Sequence, residues 1–366
     1  MNAYNGSGNS NFSIEVNVST DLCKPFTAAG SISSQVIMTA SYCVLLILSL
    51  GGNALVTTSF VKRINQHRTP VDYFIVNMAI SDLFVPLFTI PRRIQEIYLG
   101  WSPWIVGGVI GDLLCRVVNF AEEVSIGVSM LSMVFIAVER CWSILYPFKS
   151  PLITRETSPR FMVFSWFFSI LSFSFYFAAY KLTSRNGRLY CRYALPEVFS
   201  TWQDLWRADR IMVLVIYVAV PFVVLSILYT IIIVSLHRQQ RHAIIFNSSQ
   251  QLSRASKSKR IAVMLVIVLC VFVVSWTPHY IYFFVQYYSW PSEQRWSCSS
   301  IQWLYLAAKY MNYLYTALNP FIYYTFNESY RKSFKAILGM KENQVSPSSQ
   351  KHTNPSTINS YSSRNP

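Results

Sequence analysis

Seven long, predominantly apolar blocks constrain this chain more than any other feature, at 36–61, 71–98, 112–145, 160–181, 209–236, 257–286 and 300–325. A helix rising 1.5 Å per residue needs about 20 apolar residues to cross a hydrocarbon core about 30 Å thick. Helices are the expected spanning form, because each satisfies its own backbone polar groups where water is absent. The expected fold class is an all-α membrane protein, a seven-transmembrane helix bundle formed as one domain. Only 13% of the 366 residues are charged, against about 25% in a soluble domain.

The net charge of +15 would suit a nucleic-acid partner, but its distribution argues against one. With the N-terminus outside, 18 Lys and Arg fall in the inner segments 62–70, 146–160, 237–260 and 326–366. That bias follows the positive-inside rule. The basic balance therefore reports topology and attraction to an anionic inner leaflet, with no nucleic-acid role. The polar tail 1–35 carries three N-x-S sequons at Asn5, Asn11 and Asn17, which fits a glycosylated extracellular end. No cleavable signal peptide is expected.

Seven cysteines sort by compartment. Cys115 ends the third block on the outer side, and Cys191 lies in the long outer loop. A bridge between them would pin that loop over the bundle mouth. Cys23 and Cys298 are also outside and form a candidate second bridge. Cys43, Cys141 and Cys270 lie in or beside helices and read as free apolar thiols.

An ionisable residue inside a span is costly and is a functional candidate by default. Asp82 sits mid-block in IVNMAISDLFVPLF, too far from either end to snorkel. Asn53 and Asn319 are also mid-helix, so a polar cluster around a small cation, or a structural hydrogen-bond network, is expected. In the third block Glu122, Ser129 and Arg140 share one helical face, with Glu122 and Arg140 about 27 Å apart along the axis. One helix thus presents an anion at an outer cavity and a cation at the inner mouth. Pro221, Pro278 and Pro320 interrupt the last three blocks and predict kinked, pivoting helices.

Taken in order, these motifs resemble the rhodopsin-like, class A G-protein-coupled receptors over 36–338. They are Gly52-Asn53-x-x-Val56, Asn77 to Asp82, Glu139-Arg140-Cys141, Trp166, Pro221 with Tyr229, Phe272-x-x-Ser275-Trp276-Thr277-Pro278, and Asn319-Pro320-x-x-Tyr323. Cys stands where the family has Tyr in the third motif, and Ser where it has Cys in the helix-six motif. Residues 327–338 resemble the short amphipathic eighth helix, without the cysteine that often follows it. The resemblance implies a Cys115–Cys191 disulfide and a Glu139–Arg140 pair that holds inactive packing until helix six swings out. It also implies activation roles for Tyr229, Phe272, Trp276, Pro278, Asn319, Pro320 and Tyr323. Asp82, Ser129 and Asn319, with Asn53, match the family's sodium pocket, and no other cofactor is expected.

The ligand class is read from the same resemblance. An opsin carries its retinal lysine seven residues before the helix-seven proline, where this chain has Tyr313. Lys309 is one turn earlier, which argues against light sensing. Amine receptors carry Asp where this chain has Glu122, so an amine receptor using Glu122 as the ammonium partner is the alternative. A short, basic neuropeptide, amidated and bearing Arg, fits better. The loop 182–208 is long, aromatic and charged, and Glu122 and Glu123 suit a basic ligand group. Trp276, His279, Tyr282, Gln286, Lys309 and Tyr313 would line the same pocket, although Glu123 also suits an interhelical pair. SWTPHY and ERCWSILYPF look nearest to galanin, allatostatin and RFamide receptors.

On the inner side, 237–260 would extend helices five and six toward a heterotrimeric G protein. The Ser- and Asn-rich tail 339–366 is expected to be disordered and cytoplasmic. Phosphorylation there by receptor kinases would recruit arrestin through added negative charge. Plasma membrane is the expected location. No enzyme motif is present, and a transporter is the distant alternative, lacking the internal repeat common in that class.

Overall fold

The computed structural model describes residues 31–62, 68–100, 103–193, 202–245, 248–285 and 298–339. Expectations for Asn5, Asn11, Asn17, Cys23, Gln286 and the tail beyond 339 lie outside these residues, as does the Cys23–Cys298 pairing. Seven long helices appear: α1 (Ile32–Lys62), α2 (Pro70–Leu99), α3 (Gly108–Leu145), α4 (Ser158–Ala179), α5 (Trp202–Val213 continuing to Ile245), α6 (Ser249–Phe284) and α7 (Cys298–Phe326). A short α8 (Glu328–Ile337) follows, with Asn327 accepting from the Ser329 and Tyr330 amides as its cap. Six of the seven long helices are apolar enough to cross a membrane. The other, α7, is as long, but six tyrosines, Lys309, Asn312 and Asn319 dilute its apolar character.

Burial explains the bundle. Lipid-facing side chains such as Val163, Phe164 and Phe167 on α4 are exposed, while Ser49, Asn53, Asn77, Ser81, Asp82 and Asn319 are buried. A lipid-facing helix is apolar outside and hydrogen-bonded inside, the reverse of a soluble one. The central helix is α3, which packs on α2, α4 and α5, while α7 packs on α1 and α6. Asn77 joins three helices, donating to Ser132 and Ser165 at 2.9 Å each and accepting from Trp166 Nε1 at 2.9 Å.

Two glycines mark close approaches. A Cβ on Gly52 would lie 2.8 Å from the Pro320 ring, and one on Gly127 would lie 2.5 Å from Ser169 Oγ. Two π turns, at Val85–Thr89 and Leu214–Ala219, loosen α2 beside Pro86 and α5 before Pro221. The turn in α2 was not among the expected kinks. Pro278 and Pro320 lie inside helices that continue through them.

The loop expected over 182–208 is ordered structure at both ends. Strands β2 (Tyr180–Arg185) and β3 (Arg188–Tyr193) form a hairpin, and β1 (Pro103–Trp104) adds to β3. The turn is Asn186-Gly187, both at positive φ, an Asn-Gly hairpin signal legible in the sequence. From Trp202 onward the chain is already helical.

Candidate functional site

At the hairpin end, the Cys115–Cys191 disulfide ties β3 to the start of α3, with 5.6 Å between Cα atoms. Asn119, one turn further along α3, donates to the Cys115 carbonyl at 2.7 Å and accepts from Arg92 at 2.7 Å. The bridge is thereby linked to α2. Among the described residues Cys43, Cys141 and Cys270 are free.

Beneath the hairpin lies a belt of ion pairs. Glu122 of α3 accepts from Lys309 Nζ of α7 at 3.1 Å and from the Tyr313 hydroxyl at 3.5 Å. Glu123 accepts from Arg210 of α5 at 2.9 Å, and the Arg210 guanidinium also meets Asp209 at 3.0 Å. Tyr176 of α4 donates to Asp209 at 2.7 Å and lies under the Arg210 guanidinium. On α2, Arg92 and Arg93 both engage Glu96, and Arg93 also donates to the Tyr305 hydroxyl of α7. The two carboxylates expected to await a ligand therefore already hold internal cations.

The remaining expected ligand residues sit nearby. Tyr282 packs on Tyr305 with ring centroids 5.2 Å apart, and His279 meets Trp276 edge-on at 5.6 Å. The belt members absent from the sequence expectations are Arg92, Arg93, Glu96, Asn119, Tyr176, Asp209, Arg210 and Tyr305. Arg92, Arg93 and Glu96 carried a signal, because charge inside an apolar block is a candidate by default. Arg210 and Asp209 open the fifth block and read as loop charges.

Between Glu122 and Asp82 lies a small cavity of about 20 Å³, lined also by Ser125, Ser129, Asn312, Tyr313, Tyr315 and Thr316. Phe272 and Trp276 form its α6 wall. Asp82 accepts from Ser129 at 3.1 Å and from Asn319 at 2.9 Å. Asn53 does not bond to Asp82 and instead joins α1 to α7, donating to the Thr316 carbonyl at 3.0 Å. Phe272 stacks on Trp276 and meets Tyr315 edge-on, so α6 and α7 share this wall.

At the α8 end, Arg140 is paired with its neighbour Glu139, donating Nη2 to Oε1 at 2.7 Å, and Ser143 donates to the same carboxylate at 3.0 Å. Tyr229 and Tyr323 are buried in the same core, and Tyr323 reaches Met78 Sδ at 3.8 Å. Pro278 and Pro320 lie within the two helices that flank this core.

Seven membrane-length helices, a disulfide-tied hairpin over a polar cavity and a charge pair at the opposite mouth define a multi-pass receptor bundle. The family model for the 7 transmembrane receptor (rhodopsin family) matches residues 52–323. The chain belongs to that family, a family of G-protein-coupled receptors and not of enzymes. It is 26% identical over 323 residues to the neuropeptide FF receptor 2 of Rattus norvegicus, covering 84% of this chain and 74% of that one. It is 28% identical over 301 residues to the pyroglutamylated RF-amide peptide receptor of Mus musculus, covering 78% and 66%. Against the substance-P receptor of Meriones unguiculatus it is 25% identical over 301 residues, covering 82% and 70%.

Proposed function

We propose that this receptor sits in the plasma membrane with its hairpin end outside, binds a short basic neuropeptide there, and activates a heterotrimeric G protein at its α8 end. The observation that carries the ligand class is the ion-pair belt under the hairpin. Glu122 and Glu123 hold Lys309 and Arg210 from neighbouring helices, and Asp209 meets Arg210 on its own helix. A cavity built to hold buried cations accepts a peptide guanidinium by exchanging one of them, with a bidentate fork in place of a point charge. The relatives' names, neuropeptide FF, RF-amide peptide and substance P, support the same class. The amine reading is weaker, because an amine would exchange the Lys309 ammonium for another point charge, without the fork a guanidinium brings.

Three other features extend the reading. Asp82, the Ser129 hydroxyl and the otherwise unpartnered Asn319 Oδ1 offer hard oxygen donors that fit a sodium ion. Sodium there would favour the inactive packing. The Glu139–Arg140 pair is the element released on activation, with Tyr229, Phe272, Trp276 and Tyr323 repacking between the two ends. Phosphorylated serines and threonines of the tail would recruit arrestin.

The test is a G-protein activation screen in transfected cells, with amidated Arg-bearing peptides beside biogenic amines. A response to the peptides alone is expected, and the responding peptide should lose potency on Glu122→Gln. A response to amines alone overturns the peptide reading. Unchanged potency on Glu122→Gln removes Glu122 from recognition.

A further inference from the structure

The β2–β3 hairpin presents two unlike faces, because side chains alternate along a strand. Leu182, Leu189 and Cys191 share one face and pack with Trp104, Leu114 and Cys115 against the start of α3. Lys181, Thr183, Arg185, Arg188, Tyr190 and Arg192 share the other, turned away from that contact. The four cations among them are exposed. The register sets them directly opposite one another as like-charge pairs, Lys181 with Arg192 and Arg185 with Arg188. Side chains in such a pair start about 5 Å apart, and like charges there oppose the pairing of the strands. The two pairs lie four residues apart along the strand, which is about 13 Å.

Among the described residues no carboxylate is paired with any of the four. Asp112, the acid bonded to the hairpin, accepts the Leu182 amide at 2.9 Å and is held by Arg116 at 2.8 Å. Arg192 lies over the Tyr190 ring at 4.9 Å, a contact that orients the charge without neutralising it. The backbone beneath the cations is fixed, by the Cys115–Cys191 disulfide at one end and the Asn186-Gly187 turn at the other. A rigid strand pair that folds against its own repulsion is preorganised for a polyanion.

The density of charge selects the kind of polyanion. An extended acidic peptide shows one side chain about every 7 Å on a given face, so it meets each cross-strand pair with a single carboxylate. A sulfated polysaccharide carries sulfate and carboxylate groups on successive sugars, along both sides of one chain. It can give each cation of a pair its own oxyanion, with the arginine forks engaging two oxygens at once. An exposed basic cluster free of acids is the pattern of a heparin-type patch.

We propose that the exposed face of the β2–β3 hairpin binds a sulfated polysaccharide of the cell exterior, held by Lys181, Arg185, Arg188 and Arg192. The surface rests on the orientation proposed above, with the hairpin end outside, and is separate from the ion-pair belt beneath it. A bound chain would lie beside the mouth of the bundle and raise the local concentration of a basic ligand there.

The test uses the full-length receptor on intact cells that make no sulfated polysaccharide of their own, and it needs no agonist. A charged polysaccharide then reaches only the outer side, so the basic inner segments cannot contribute. Fluorescent heparin octasaccharide is titrated, and affinity is read from half-saturation, which surface level does not move. An N-terminal epitope tag, stained without permeabilisation, reports the orientation. Saturable binding above untransfected cells is expected, weakening as sodium chloride is raised. The double variants Lys181→Gln/Arg192→Gln and Arg185→Gln/Arg188→Gln should each weaken it about tenfold. Both should reach the surface, since each removes a like-charge pair. Arg185→Lys/Arg188→Lys, which keeps the charge, should retain most of the affinity, and Lys24→Gln, in the outer tail, all of it. No binding above untransfected cells, unchanged affinity in both Gln variants, or an equal loss with Lys24→Gln overturns the surface. Equal binding of fully desulfated heparin, or of polyglutamate of matched charge, would assign the face to an acidic peptide and overturn the polysaccharide. A tag reached only after permeabilisation overturns the orientation and this surface with it. Binding as described in a receptor that ignores peptides would sink the ligand class proposed above and leave this surface standing.

Discussion

Glu122 shows how much a single residue owes to its surroundings. Its position on α3 and its acidic character were legible, and so was Lys309 as a pocket residue. That the two pair, 187 residues apart, was not. Removing one partner of a buried pair leaves the other charge without compensation, which costs about 3–5 kcal/mol. Lys309→Met should therefore lower the Tm of the purified receptor markedly. The double variant Glu122→Gln/Lys309→Met should recover most of the loss. An additive double-mutant cycle would show that the pair does not couple. Asp82 belongs to the same scale. If it holds sodium, sodium chloride should raise Tm above N-methylglucamine chloride in the native receptor, and Asp82→Asn should abolish the difference.

Among the elements, helices were the most legible, because apolar length alone defines a span. The ends of α5 and α6 were expected to run on beyond the apolar blocks, and they do, to Ile245 and from Ser249. The hairpin was missed despite Asn186-Gly187, because the segment's mixed charges and aromatics read as loop. Close helix contacts depend on small residues, and their partners lie far away in sequence. Gly52→Ala would drive a methyl into the Pro320 ring, which cannot rotate aside. Overpacking of this kind costs about 1–3 kcal/mol, and a fall in Tm with reduced surface expression is the expected result. Asn77→Ala should cost about 1–3 kcal/mol by orphaning the half-buried Trp166 donor. Trp166→Phe in that background should add little, and a large further loss would refute the shared-joint reading.

For the whole molecule, the two mouths are joined by one continuous interior. The small cavity between Glu122 and Asp82 shares the Phe272 and Trp276 wall with the core that holds Tyr229 and Tyr323. A change in α6 at one end is thereby carried to the other, as a bistable packed element requires. Glu139→Gln removes the carboxylate that holds Arg140 and Ser143. Ligand-independent G-protein activation should rise severalfold at matched surface expression. Basal activity at the native level would remove the pair from the activation switch.

The amino-acid sequence by itself determined that this chain is a seven-helix membrane receptor. Hydrocarbon thickness fixes how long each apolar block must be, and lipid expels polar groups unless they are buried or at work. It also named the residues at both mouths, from Glu122 and Lys309 to Glu139 and Arg140. Only the tertiary structure decided which charge meets which. Helical period sets the face a residue occupies, while packing sets which neighbour that face meets. Hence Glu122 found Lys309, Glu123 found Arg210, and Arg93 found Tyr305.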